Sequence, residues 1–67
     1  MSKHDSDILS ILLKNELKST NEVLQELQKK TKKTINWHAL YRVLLELALD
    51  GKIDRVQMKA GIFWKKK

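Results

Sequence analysis

Residues 29–42 read KKTKKTINWHALYR, with lysines at 29, 30, 32 and 33 directly before an Asn and a run carrying Trp37, His38, Tyr41 and Arg42. These are side chains for binding rather than for making and breaking bonds. An Arg guanidinium offers a planar fork of donors that fits phosphate oxygens or the edge of guanine, and an imidazole can contact a base or a phosphate. Asn36 stands where the free amides of a helix start favour anions. Lysines this crowded repel one another, so Lys29, Lys30, Lys32 and Lys33 suit contact with a polyanionic backbone, positioning it rather than reading it. The competing readings are a solvated turn in which Glu26 pairs with Lys30, and an Arg42–Glu46 ion pair one helical turn apart.

Catalysis has little to draw on. The carboxylate pairs Glu22/Glu26 and Glu46/Asp50 are spaced for one solvated helix face, and neither a Ser/His/Asp nor a Cys/His set is evident. His4 with Asp5 and Asp7 could bind a metal, but a frayed N-terminus is the simpler expectation. The sequence therefore leads us to expect no enzyme, no cofactor, no metal site and no small-molecule ligand.

The bulk properties agree with a binding role. Sixty-seven residues without cysteine make one domain, spanning 1–67 with an ordered core of about 5–65, near the lower size limit for folding on apolar burial alone. The net charge of +6 and the isoelectric point near 9.8 favour polyanionic partners: nucleic acid first, an anionic membrane surface second. No run approaches the roughly 18 apolar residues of a membrane span and no leader pattern opens the chain, so a cytoplasmic location is expected, at the nucleoid if the source is prokaryotic.

The elements that must position these side chains follow from periodicity and capping. Residues 6–16 carry Ile8, Leu9, Ile11, Leu12 and Leu13 at helical spacing, with Asp5 or Ser6 as N-cap. Ser19 and Glu22 have the form of a capping box opening a helix over 20–31 that buries Val23, Leu24 and Leu27. Asn36 is the expected N-cap of a third helix, Ile35 packs on Leu40 as a hydrophobic staple, and Gly51 ends that helix. Beyond it the period changes, predicting strands at 52–58 and 62–66 joined by the three-residue loop Lys59-Ala60-Gly61.

On the third helix, Leu40, Val43, Leu44, Leu47, Trp37, Ala48, Tyr41 and Leu45 form one broad apolar arc, opposite His38, Ala39, Arg42 and Glu46. The polar side is the presentable one. Trp37, Tyr41 and Leu45 can serve as core, as a stacking platform or as interface, and Trp64 is expected to cover the core from the hairpin. Helix 1 is similarly broad, because Leu9 and Leu13 extend its apolar side.

This order of elements, with LYRVLLELALDGKI at 40–53, resembles the winged-helix form of the helix-turn-helix. Leu40, Tyr41, Arg42, Leu44, Leu47, Gly51 and Ile53 fall on the places of the family's recognition helix and wing. The resemblance implies a mainly α fold with a small β-hairpin, three helices followed by the wing. It further implies that Asn36, Trp37, His38 and Arg42 face the major groove of double-stranded DNA and that Lys59 lies at the wing tip near a phosphate. Lys65, Lys66 and Lys67 are either a frayed tail or a phosphate-seeking arm, with Lys65 counted in the phosphate-facing set. Family members often carry a cation at the place of Trp37 and a small hydroxyl residue at the place of Ala39. The F-W-K at 63–65 is also similar to the wing of Z-nucleic-acid-binding domains, which pair an Asn and a Tyr where this chain has Tyr41 and Leu45.

The expected function is that of a duplex DNA-binding protein, a small transcriptional regulator or chromatin-associated factor. The alternative is a winged helix that binds proteins in ESCRT-type or polymerase-associated assemblies, with the apolar arc as its working surface. A homodimer through Leu9 and Leu13 is expected as well, since so short a chain has apolar surface to spare.

Overall fold

The computed structural model describes residues 5–13 and 16–67. In chain order the elements are α1 (Asp5–Ile11), β1 (Lys18–Ser19), α2 (Thr20–Thr31), α3 (Trp37–Leu49), β2 (Ile53–Met58) and β3 (Gly61–Lys66). Three helices pack with one antiparallel sheet of order β1-β3-β2, so the fold is mixed α and β with the hairpin last.

Helix boundaries follow the capping chemistry closely in two cases. At α2 the Ser19 hydroxyl accepts from the Glu22 amide at 3.2 Å, while the Glu22 carboxylate accepts from the Ser19 amide at 3.5 Å, the reciprocal pair of a capping box. At α3 the Asn36 side-chain oxygen accepts from the amides of His38 and Ala39 at 2.8 and 3.2 Å. That helix ends in a Schellman motif. The Lys52 amide reaches the Leu47 carbonyl, the Gly51 amide reaches Ala48, and Gly51 takes φ +76°, a conformation that a Cβ disfavours.

Helix α1 is shorter than the 6–16 that periodicity predicts. It stops at Ile11, and Asp5 and Ser6, the expected N-caps, lie inside its first turn. Past Leu12 the backbone takes other partners. Leu13 bridges to Glu16, and its carbonyl accepts from the Lys66 amide of β3 at 3.2 Å. These bonds tie Leu13 to β3 and outweigh the modest propensity of one more helical turn.

Two further corrections concern the sheet. Lys18 and Ser19 pair with Trp64 and Phe63, adding a strand too short for any periodic signal and making β3 the central strand. The hairpin connection has two residues, Lys59 and Ala60, because Met58 pairs with Gly61. Gly61 therefore belongs to β3, where its φ of +133° is again open mainly to glycine.

The core consists of Ile8, Leu12, Val23, Leu27, Leu40, Leu44, Leu47, Ile53 and Trp64. Each such side chain contributes about 1.5–3 kcal/mol on burial. Trp64 is fully buried and caps this cluster from β3, as its place in the hairpin suggested. Its indole N–H finds a partner in the Thr20 hydroxyl at 2.9 Å, which satisfies a donor that would otherwise be costly inside the core. Among the described residues no helix is long and apolar enough to cross a membrane.

Candidate functional site

The turn between α2 and α3 is built to hold its shape. Lys32 closes α2 in the left-handed region at φ 56°, a conformation that costs a non-glycine residue about 1 kcal/mol. Three residues on, the Ile35 amide donates to the Gln28 side chain at 2.9 Å, fastening the turn to the last part of α2. Ile35 also packs against the core. The lysines at 29, 30, 32 and 33 all lie exposed around this turn. None of them forms a salt bridge among the described residues. Glu26, the expected partner of Lys30, pairs instead with Lys18 at 2.8 Å, and Lys30 donates to the Ser10 hydroxyl at 2.7 Å.

Lys18 is the ionic joint of the fold. Almost buried, it lies 2.8 Å from Glu26 and 3.8 Å from Glu16. The hydrogen bond to Glu26 raises its affinity for a proton above the ordinary lysine value, against partial desolvation that works the other way, with the Glu16 and Glu22 charges assisting.

On α3 the division of faces matches the helical wheel. Leu40, Leu44 and Leu47 are buried, and Tyr41, Val43, Leu45 and Ala48 pack against them. His38, Ala39, Arg42 and Glu46 face solvent. Arg42 makes no salt bridge to Glu46 or to any other described residue. Most of the broad apolar arc is therefore core; Trp37 is its exposed member at 39%, and Leu49, outside the arc at the helix end, is 87% exposed.

Asn36 plays a narrower part than its position suggests. Its side-chain oxygen already occupies the His38 and Ala39 amides, so two of the donors an anion would use at this helix start are taken. Its NH₂ group is what it has left to offer a ligand.

Trp37 is neither core nor free. It remains 39% exposed, stacked on Tyr41 with centroids 5.2 Å apart and planes 8° apart, with His38 edge-on at 5.4 Å. Its indole N–H donates to the Asn21 side chain at 3.1 Å. Tyr41 in turn meets Trp64 edge-on at 6.0 Å. A closed circuit results: Thr20, Trp64, Tyr41, Trp37 and Asn21 tie the first turn of α2 to β3, to the front of α3 and back again. Sequence reading named the aromatics but missed Thr20 and Asn21, whose roles depend on β1 bringing the start of α2 beside β3.

Beside this circuit lies a groove of about 450 Å³, bounded by Ser19, Asn21, Trp37, Tyr41 and the hairpin tip at Ala60 and Gly61. Lys59 is exposed at that tip. The expected contact residues thus gather around the α2–α3 turn, the front of α3 and the hairpin tip. Lys65 stands apart from them, half-buried on β3 opposite Asp54. Lys66 continues that strand and Lys67 lies 3.9 Å from Asp54, so the terminal lysines are not a frayed tail.

Leu9 and Leu13, expected on one edge of helix 1, part company. Leu9 packs against the core, whereas Leu13 lies beyond the end of α1 and is 50% exposed. His4 lies outside the described residues. Comparison with protein-family models, with curated proteins and with solved structures finds no match for this chain.

Proposed function

We propose that the chain is a winged-helix protein that binds double-stranded DNA, with α3 as recognition helix and the β2–β3 hairpin as wing, acting as a small transcriptional regulator or chromatin-associated factor. One observation carries this reading: α3 commits its apolar side to the core and turns His38 and Arg42, with no ion-pair partner among the described residues, toward solvent. Arg42 supplies the fork for a guanine edge and His38 a second donor. Lys29, Lys30, Lys32 and Lys33 at the turn, with Lys59 at the wing tip, hold phosphates on either side of it. Trp37 fills space at the front of the helix, Asn36 contributes its NH₂ group, and Lys65 supports from the wing at longer range. The net charge of +6 supplies the general attraction.

The protein-binding alternative needs a free apolar arc on α3, and most of that arc is packed against the core. Gel shifts on random and genomic duplexes at two salt concentrations test the choice. Binding that weakens steeply with salt, by a logarithmic slope of about −0.9 per phosphate contacted, supports the DNA reading. No binding at low salt overturns it.

A further inference from the structure

We propose that the groove between the first turn of α2, the front of α3 and the wing tip is a seat for one unpaired nucleobase, stacked against Trp37. The protein would then prefer duplex carrying a looped-out nucleotide to perfect duplex. This inference rests on the DNA-binding reading above and names a feature of the nucleic acid that direct readout by Arg42 does not require.

The argument starts from an exposed indole that is held rigid. Tryptophans at a surface usually keep some rotational freedom, which a ligand must remove on binding. Trp37 has been fixed beforehand: Tyr41 covers one face at an interplanar angle of 8°, and Asn21 holds its N–H at 3.1 Å. Tyr41 is braced by Trp64, and Trp64 by Thr20. Four side chains from three elements therefore converge to keep one aromatic surface in place while leaving it 39% exposed. Core packing does not call for such a device, because Trp37 belongs neither to the buried cluster nor to the residues packed on it.

The groove that this surface helps to line holds about 450 Å³ and is open to solvent, so a ring seated there can stay attached to a larger molecule. Trp37, Tyr41 and Asn21 are among the residues that line it, and the Tyr41 hydroxyl makes no hydrogen bond among the described residues. A planar ring with polar atoms on its rim meets both needs, stacking on the indole and bonding at its edge. Charge selects the carrier of that ring. No carboxylate lines the groove, the exposed Lys59 directly precedes Ala60 of its lining, and the chain as a whole is strongly basic, so a base attached to a phosphate backbone suits it.

The test compares a short duplex, the same duplex with one looped-out nucleotide, and a version with the fluorescent base 2-aminopurine in the loop. Wild-type protein should bind the looped duplex on the order of tenfold more tightly than the perfect one and should quench the 2-aminopurine. Trp37→Ala should bring the affinity ratio close to one, and Trp37→Phe should retain part of it, with circular dichroism confirming that both variants fold. Equal wild-type affinity for the two duplexes, or no quenching, overturns the base seat while leaving duplex binding intact. Failure to bind either duplex overturns the DNA reading and the base seat together.

Discussion

Arg42 is the residue on which base readout turns, because its guanidinium is exposed with no carboxylate to occupy it among the described residues. If it forms a bidentate contact, Arg42→Ala costs ~1–3 kcal/mol on a preferred site and much less on random duplex, since a phosphate contact does not discriminate between sequences. Titrations on both duplexes check this, and equal losses would reduce Arg42 to a backbone anchor. Lys18 poses a different question, one of stability. Its affinity for a proton is raised in the folded chain above the ordinary value of 10.5. A raised lysine contributes stability that is complete below the unfolded value and disappears as pH climbs through the folded one. Lys18→Met should therefore cost about 1–2 kcal/mol at neutral pH, between the figures for exposed and buried pairs. The gap from wild type in urea unfolding should narrow above about pH 10.5. A gap that stays constant into that range would mean that Lys18 acts through its aliphatic stem alone.

At the scale of elements, the α2–α3 turn decides whether the lysine cluster can act as a unit. Lys32 in the left-handed conformation and the Gln28–Ile35 hydrogen bond fix the path of the chain, so the ammonium groups ride on a defined frame. Replacing Lys29, Lys30, Lys32 and Lys33 with Gln should weaken binding to all duplexes alike and flatten the salt slope by up to one phosphate equivalent for each lysine that touches the backbone. A slope identical to wild type would remove the turn from the interface. The elements also show what could be read in the sequence. Ser19 and Glu22, Asn36 and Gly51 carry their structural roles in residue type and spacing, and the starts of α2 and α3 and the end of α3 fall where capping chemistry places them. The end of α1, the strand at Lys18–Ser19 and the groove beside Trp37 could not be read this way. Each depends on hydrogen bonds or packing between residues far apart in the chain, such as Leu13 with Lys66 and Trp64 with Thr20. Arg42 was legible as exposed, whereas the occupation of Asn36 by its own helix amides became apparent only from the geometry.

For the whole molecule, the question is whether one copy is the working unit. Among the described residues the buried core numbers nine side chains, a small stock for a chain without cysteine. Large apolar side chains remain outside it: Leu49 is 87% exposed, Met58 51% and Leu13 50%. Leu13 bonds through its carbonyl to Lys66, and Lys66 lies opposite Ile53, four residues after Leu49. Leu13 and Leu49 therefore approach the same end of the sheet, remote from the wing tip. Association there would cover apolar surface and leave both recognition helices free, doubling the DNA contacts through bivalency. Leu9 is no longer a suitable probe of this dimer, because it packs on the core. Leu13→Lys is suitable, since its side chain is half exposed and its bonds to Glu16 and Lys66 are made by its backbone. The variant should keep the wild-type circular dichroism, sediment at half the mass and bind duplexes carrying two sites far more weakly. Wild-type protein that sediments as a monomer at high micromolar concentration in low salt would end the case for the dimer and leave Leu13 and Leu49 as isolated surface leucines.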